Sequence, residues 1–162
     1  MGTIIQASDL TRELLKKRTQ KNALIANPKT GKLSYGMIPA NKSGIPEGNI
    51  FLKLGDTGFG PQRSGAYGAR HIWDKHQADL CLTEPLDIVT QLQEILVSGT
   101  DILVNLAAKH NPARPVILNT KIGRVALQLQ MISGVASYSI ISAYGAKNAT
   151  GTVIGTLKNP ND

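Results

Sequence analysis

Cysteine is nearly absent from this chain. A single one, Cys81, excludes an internal disulfide and any cysteine-rich zinc site. It follows a histidine-rich stretch and precedes a helix start, where it reads as a small buried apolar residue rather than a nucleophile. Aromatic side chains are scarce too: two Phe, one Trp and four Tyr in 162 residues give no platform on which many bases could stack. No run approaches the roughly 18 apolar residues of a membrane helix, so no membrane insertion is expected. No basic-then-apolar leader opens the sequence, and no export signal is read from it. Internal repeats and low-complexity tracts are missing as well.

Acidic residues are also in deficit, 11 against 18 basic ones, for a formal charge of +7. The imbalance is uneven. Residues 1–80 hold 12 basic and 6 acidic side chains, while residues 81–162 hold 6 and 5. A basic first half favours a polyanionic partner, because neutralised phosphates release their counterions. With so few rings, cleavage of such a partner fits the composition better than extended single-strand binding.

What the chain does have is concentrated in Gly68-Ala69-Arg70-His71-Ile72-Trp73-Asp74-Lys75-His76. Two of the three histidines and the only tryptophan sit here among fixed charges. Histidine titrates near neutrality, so the stretch reads as proton-transfer equipment. On a helix, His71 and Lys75 share a face, as do Arg70 and Asp74, while Ile72, Trp73 and His76 lie on a more apolar one. His76 lies about 140° around an ideal helix from His71, so the two converge on one phosphate only where the helix ends or bends.

Around this element the patterning predicts an α+β fold with the helices first. A first helix is expected from Ser8 or Asp9 to Thr19, with Lys16, Lys17 and Arg18 at its exposed C-terminal end. Leu33–Ile38 and Asn49–Leu54 are candidate strands of a small hairpin in a Gly- and Pro-rich tract, and Gly55 to Gly68 reads as a loop. Helices follow over 69–80 and from Thr83-Glu84-Pro85 to about Ser98. Four extended segments come next, at 101–107, 114–119, 122–131 and 137–144. The third alternates, with Val125, Leu127, Leu129 and Met131 opposite Arg124, Gln128 and Gln130. The short links Asn119-Thr120-Lys121 and Ser133-Gly134 predict adjacent antiparallel pairing. Residues 152–157 are a candidate edge strand.

These positions suit metal-free RNA cleavage, which needs a base for the 2′-hydroxyl proton, an acid for the leaving 5′-oxygen and a cation for the phosphorane charge. His71 is the candidate base or acid, with Lys75 one turn on to stabilise charge. His76 is either a second catalytic histidine or a hydrogen-bonded structural one. Arg124, on the polar face of its strand, is a candidate phosphate ligand, and Lys121 in the preceding turn can assist it. Both are alternatively solvated sheet-edge charges. Ser142 and Tyr144 project from one sheet face, where their hydroxyls can hold a phosphate; Tyr144 is alternatively a rim residue that closes the core. Arg70 is either a further phosphate ligand or the partner of Asp74. His110, in a Lys-His-Asn-Pro loop, reads as a turn residue. A metal is the rival chemistry, through His71-x-x-Asp74 and His76-x-x-Asp79, yet no conventional zinc or two-metal signature is present.

Two helices before a four-stranded antiparallel sheet, with the Gly-Ala-Arg-His-Ile-x-x-Lys-His element and the Ser142-Ala143-Tyr144 strand end, resemble the barnase/EndoU/colicin/RelE-like ribonuclease superfamily, in its phage- and toxin-associated branches. The resemblance spans about residues 66–157. It implies N-terminal helices followed by a four- to five-stranded antiparallel sheet, with residues 1–65 as an extension and 66–162 as a nuclease-like domain. It further implies a metal-independent endoribonuclease without a cofactor, acting on RNA (tRNA included) in the bacterial cytoplasm and delivered within a larger secreted or phage protein. A cognate immunity protein would be its partner. The alternatives are a non-catalytic binding module and an enzyme for another phosphate ester.

Overall fold

A computed structural model describes residues 3–104, 115–119, 121–145 and 151–160, with the backbone alone at 118 and 119. Along the chain come β1 (Ile4–Ile5), a 3-10 turn (Ala7–Asp9), α1 (Arg12–Lys16), β2 (Leu24–Ile25), β3 (Met37–Ile38), β4 (Gly48–Phe51), α2 (Gly68–His76) and α3 (Leu86–Ile95). The strands β5 (Asp101–Val104), β6 (Val116–Asn119), β7 (Gly123–Ile132), β8 (Val135–Tyr144) and β9 (Thr152–Thr156) complete the described order. The far parts of the strands expected over 101–107 and 114–119, the His110 loop and Thr120 lie outside the described residues.

The expected N-terminal helices followed by a small antiparallel sheet are not what forms. Among the described residues, seven strands make one mixed sheet in the order β3-β4-β8-β7-β6-β5-β9, and β1 pairs with β2 in parallel. The run from β5 to β8 is antiparallel, as the short links predict for β6, β7 and β8, and β9 pairs with β5. The departure lies in β3 and β4. These two strands do form the candidate hairpin, but β4 continues into the main sheet by pairing in parallel with β8, Ile50 opposite Tyr138. At the other edge Met37 exchanges two backbone hydrogen bonds with Lys158, 3.1 and 3.0 Å, which nearly closes the sheet into a barrel. The segment expected as an extension therefore supplies two of the seven strands. Its Leu15, Ile25, Ile38 and Ile50 are buried in the same core as Leu92, Leu127 and Ile140.

Local signals explain the long hairpin. Val125 and Leu127 are buried while Gln128 faces out, so the alternation on β7 holds along the core. Past it Met131, Ile132 and Val135 are all exposed. Ser133 and Gly134 both take left-handed φ, 52° and 79°, the combination a two-residue turn requires.

The first helix is shorter than the periodicity predicts. Thr11, not Ser8, caps it, its Oγ1 accepting from the Leu14 amide at 3.1 Å. The helix stops at Lys16 because the Leu14 carbonyl is taken by the Arg70 guanidinium, which also takes those of Thr19 and Gly55. Replacing Thr11 with Ala is expected to cost about 1 kcal/mol, the usual worth of such a cap, read as a shifted urea midpoint with an unchanged slope. Arg18 is no idle helix end either. It holds the buried Asp56 carboxylate at 3.0 Å and, with Lys21, keeps that group below the usual carboxylate range. Cys81, expected to be buried, is exposed in a left-handed turn with φ 56°.

Candidate functional site

The stretch from Gly68 to His76 becomes α2, shorter than the expected helix over 69–80, and its placement is set by backbone. Ala69 N donates to Lys53 O and Arg70 N to Leu54 O, at 3.0 and 2.9 Å, so its first amides find partners in the segment after β4. The two chains cross where Gly55 and Gly68 meet. A Cβ on Gly55 would lie 1.9 Å from the Tyr67 carbonyl oxygen, and one on Gly68 would lie 2.6 Å from that of Lys53. Ala69 and Ile72 then enter the core, and α2 packs along β8.

This docking brings residues from distant parts of the chain together. His71 and His76 meet edge to face, ring centroids 5.4 Å apart, because α2 ends at His76 and the side chains close the angular gap. The His76 ring lies 5.5 Å from that of Tyr144 at the end of β8. Tyr144 pairs across the ladder with Arg124, whose guanidinium carbon sits 4.5 Å over the phenol ring. Ser142 lies on the same side of β8, opposite Ala126, and a register shift at Ile141 keeps it there. Its Oγ is buried with no hydrogen-bond partner among the described residues.

The electrostatics differ between the two histidines. His71 is 8% exposed, and its Nδ1 is buried with no hydrogen-bond partner among the described residues. Burial, then the positive charges of His76, Lys75 and Arg63, push its pKa down to about 4 against a weaker pull from Asp74. His71 is therefore neutral at pH 7. His76 has its Nδ1 3.2 Å from the Asp79 carboxylate, which also accepts the Gly145 amide at 2.8 Å. That arrangement fixes the ring and gives its protonated form a partner, at a helix C-terminus that favours a cation.

Comparisons with protein-family models, curated proteins and solved structures find no match to this chain. The site has to be read from its own geometry.

Of the residues singled out in the sequence, His71, His76, Arg124 and Tyr144 come together, with Ser142 buried on the same side of β8. Lys75 is exposed one turn beyond His71 and contributes to the positive field there. Lys121 is exposed in the turn that leads into β7. Arg70 stands apart. It is fully buried and points away to three carbonyls, so it neither faces a phosphate nor pairs with Asp74. Asp74 is held instead by Arg63 at 2.7 Å. Arg63 is the member sequence reasoning missed, since it lies in a glycine-rich loop with a left-handed φ of 52° and no periodic signal. Asp79 was visible only as a metal-type spacing; its carboxylate orients His76. Among the described residues no three His, Cys, Asp or Glu side chains cluster as metal ligands, and no helix is long and apolar enough to cross a membrane.

Proposed function

We propose that the chain cleaves RNA without a metal ion, by attack of a 2′-hydroxyl on the adjacent phosphate to leave a 2′,3′-cyclic phosphate. The observation that carries this reading is the meeting of a neutral, buried His71 with the Asp79-held His76 and the Arg124–Tyr144 pair. His71 takes the 2′-proton as O2′ bonds to phosphorus. The P–O5′ bond breaks as protonated His76 gives its proton to the leaving 5′-oxygen. Arg124 and Tyr144 hold the non-bridging oxygens, and Lys75 and Lys121 add positive charge at the rim.

The proposal stands on the site and not on the superfamily resemblance, whose sheet differs from the one found. In the setting that the resemblance implies, the substrate is cytoplasmic RNA, tRNA included, and a cognate immunity protein would cover the site. A second reading, a binding module without catalysis, draws on the exposed Met131, Ile132 and Val135 at the hairpin tip, which suit contact with a protein.

The test is cleavage of total RNA by the purified chain in excess EDTA, with the ends of the products identified. Cyclic phosphate ends that persist in EDTA support the mechanism. Intact RNA would turn the assignment to the binding module. The pH dependence sharpens the test. A base whose pKa is pushed down to about 4 stays deprotonated far below an ordinary imidazole, so kcat/KM on a short RNA should hold level through pH 6.5 and decline only as pH approaches 4. An acid limb centred near 6.5 would remove His71 as the base.

A further inference from the structure

Beyond Ser142, the same outward side of the β7–β8 ladder carries the pairs Gln128–Ser139 and Gln130–Ser137, and Phe51 of β4 lies opposite Ser139 on the other flank. Two small serines between longer neighbours leave a trough. A cleft of about 430 Å³ opens there, floored in part by Ser139 and walled by Lys53, Gln128 and Gln130, with Arg63 at the end nearest α2.

Its chemistry is one-sided. No carboxylate lines it, while two cations and three side-chain amides do. Lys53 Nζ donates to Gln130 Oε1 at 3.0 Å, which turns the Gln130 amide nitrogen into the group left to donate. Tyr67 does the same for Asn22, donating to its Oδ1 at 3.1 Å. Ser139, 2% exposed, keeps its Oγ buried with no hydrogen-bond partner among the described residues. Ser139 borders the cleft as a small residue whose hydroxyl lies beneath the surface, so the donors open to a ligand there are those of Lys53, Gln128 and Gln130. Gln128 lies four residues along β7 from Arg124 and on the same side, about 13 Å away at strand spacing. Arg63 joins the two regions, since it borders the cleft, holds Asp74 and contributes to the field at His71.

We propose that this trough is a base-binding subsite, in which Gln128, Gln130 and Lys53, beside the small Ser139, read the acceptor-rich edge of one nucleobase flanking the scissile phosphate, and Arg63 takes the phosphate between. Single-stranded RNA is read in this way, by hydrogen bonds to splayed base edges. The inference rests on the RNA-cleaving reading above and adds sequence preference to it.

The experiment uses the full chain as wild type, Ser139→Leu, which fills the trough, and Gln128→Ala, an exposed truncation with little cost to folding. Cleavage sites are mapped in a random-sequence RNA pool, and binding of a short 2′-O-methyl RNA, which lacks the attacking hydroxyl, is followed by fluorescence anisotropy. The expected result is a base preference at one position beside the cut that flattens in both variants, with 2′-O-methyl RNA bound about tenfold more weakly. Cleavage with unaltered preference and unaltered binding overturns the subsite and leaves the nuclease standing. A wild type that binds the 2′-O-methyl RNA without cleaving any RNA, and loses that binding in the variants, supports the subsite while removing the nuclease. A wild type that neither binds nor cleaves overturns both.

Discussion

His71→Ala is expected to fold normally and to lose RNA cleavage by a factor of about 10² to 10⁴, the usual worth of a positioned general base. The side chain is well placed for that loss. Its Nδ1 makes no hydrogen bond to the described residues, so removal orphans no protein donor. His76, Arg124 and Tyr144 remain to bind the phosphate, so the loss should fall on kcat more than on KM. A parallel stability measurement shows that the mutation acts on the same group. With a folded pKa of about 4 against an unfolded 6.5, His71 stays neutral in the native state while the unfolded chain takes up a proton. The unfolded state thus binds more protons between pH 6.5 and 4, and native stability falls as pH drops through that window. The span corresponds to about 3 kcal/mol at most. His71→Ala should lack this component and lose less stability on acidification, by urea titration at pH 6.5 and 4.5. A variant that cleaves within tenfold of wild type takes the role of base away from His71.

Arg70→Met is expected to lower stability by about 3–5 kcal/mol without removing any side chain of the proposed site. Methionine has a similar reach but no donors. Arg70 is 0% exposed, and its guanidinium meets Leu14 O at 3.0 Å, Thr19 O at 2.6 Å and Gly55 O at 3.1 Å. Without it the buried Gly55 carbonyl loses a charged donor, at a cost of about 1–3 kcal/mol before relaxation, and the part-buried carbonyls of Leu14 and Thr19 lose theirs as well. The loss should be local as well as global. The end of α1 and the Gly55–Gly68 crossing both rest on this side chain, so amides of residues 14–19 should exchange faster than those of β7 and β8. A urea midpoint shift worth less than about 1 kcal/mol would mean that the carbonyls find other partners.

Much of the second half of the chain was legible because its signals are local. Alternation on β7, the two-residue turn at Ser133-Gly134 and the apolar spacing of α3 each act within a few neighbours, and β6, β7 and β8 pair as those signals predict. The first half resisted for a physical reason. β3 has two residues and β4 four, in a tract full of Gly and Pro, and β4's main partner is β8, far along the chain. Strand propensity is a property of the packed surface more than of the strand, so no local pattern announces a parallel pairing at that distance. The closing Met37–Lys158 bridge has no signature at all. The site divides in the same way. Histidines beside fixed charges, and an arginine on the polar face of an alternating strand, stand out by residue type and spacing. Arg70 and Arg63 do not, since a buried tether and a loop arginine have the same composition and only tertiary contacts tell them apart.

The parallel pairing of β4 with β8 also governs when the proposed site can assemble during synthesis. His71 and His76 leave the ribosome well before Arg124 and Tyr144. Until β8 has followed, β4 has no neighbour on that side, and α2 has no sheet to pack along. Closing so long a loop yields its contacts only at the end. A growing chain therefore carries His71 and His76 before Arg124 and Tyr144 can stand beside them, and the proposed site is whole only once β8 has paired.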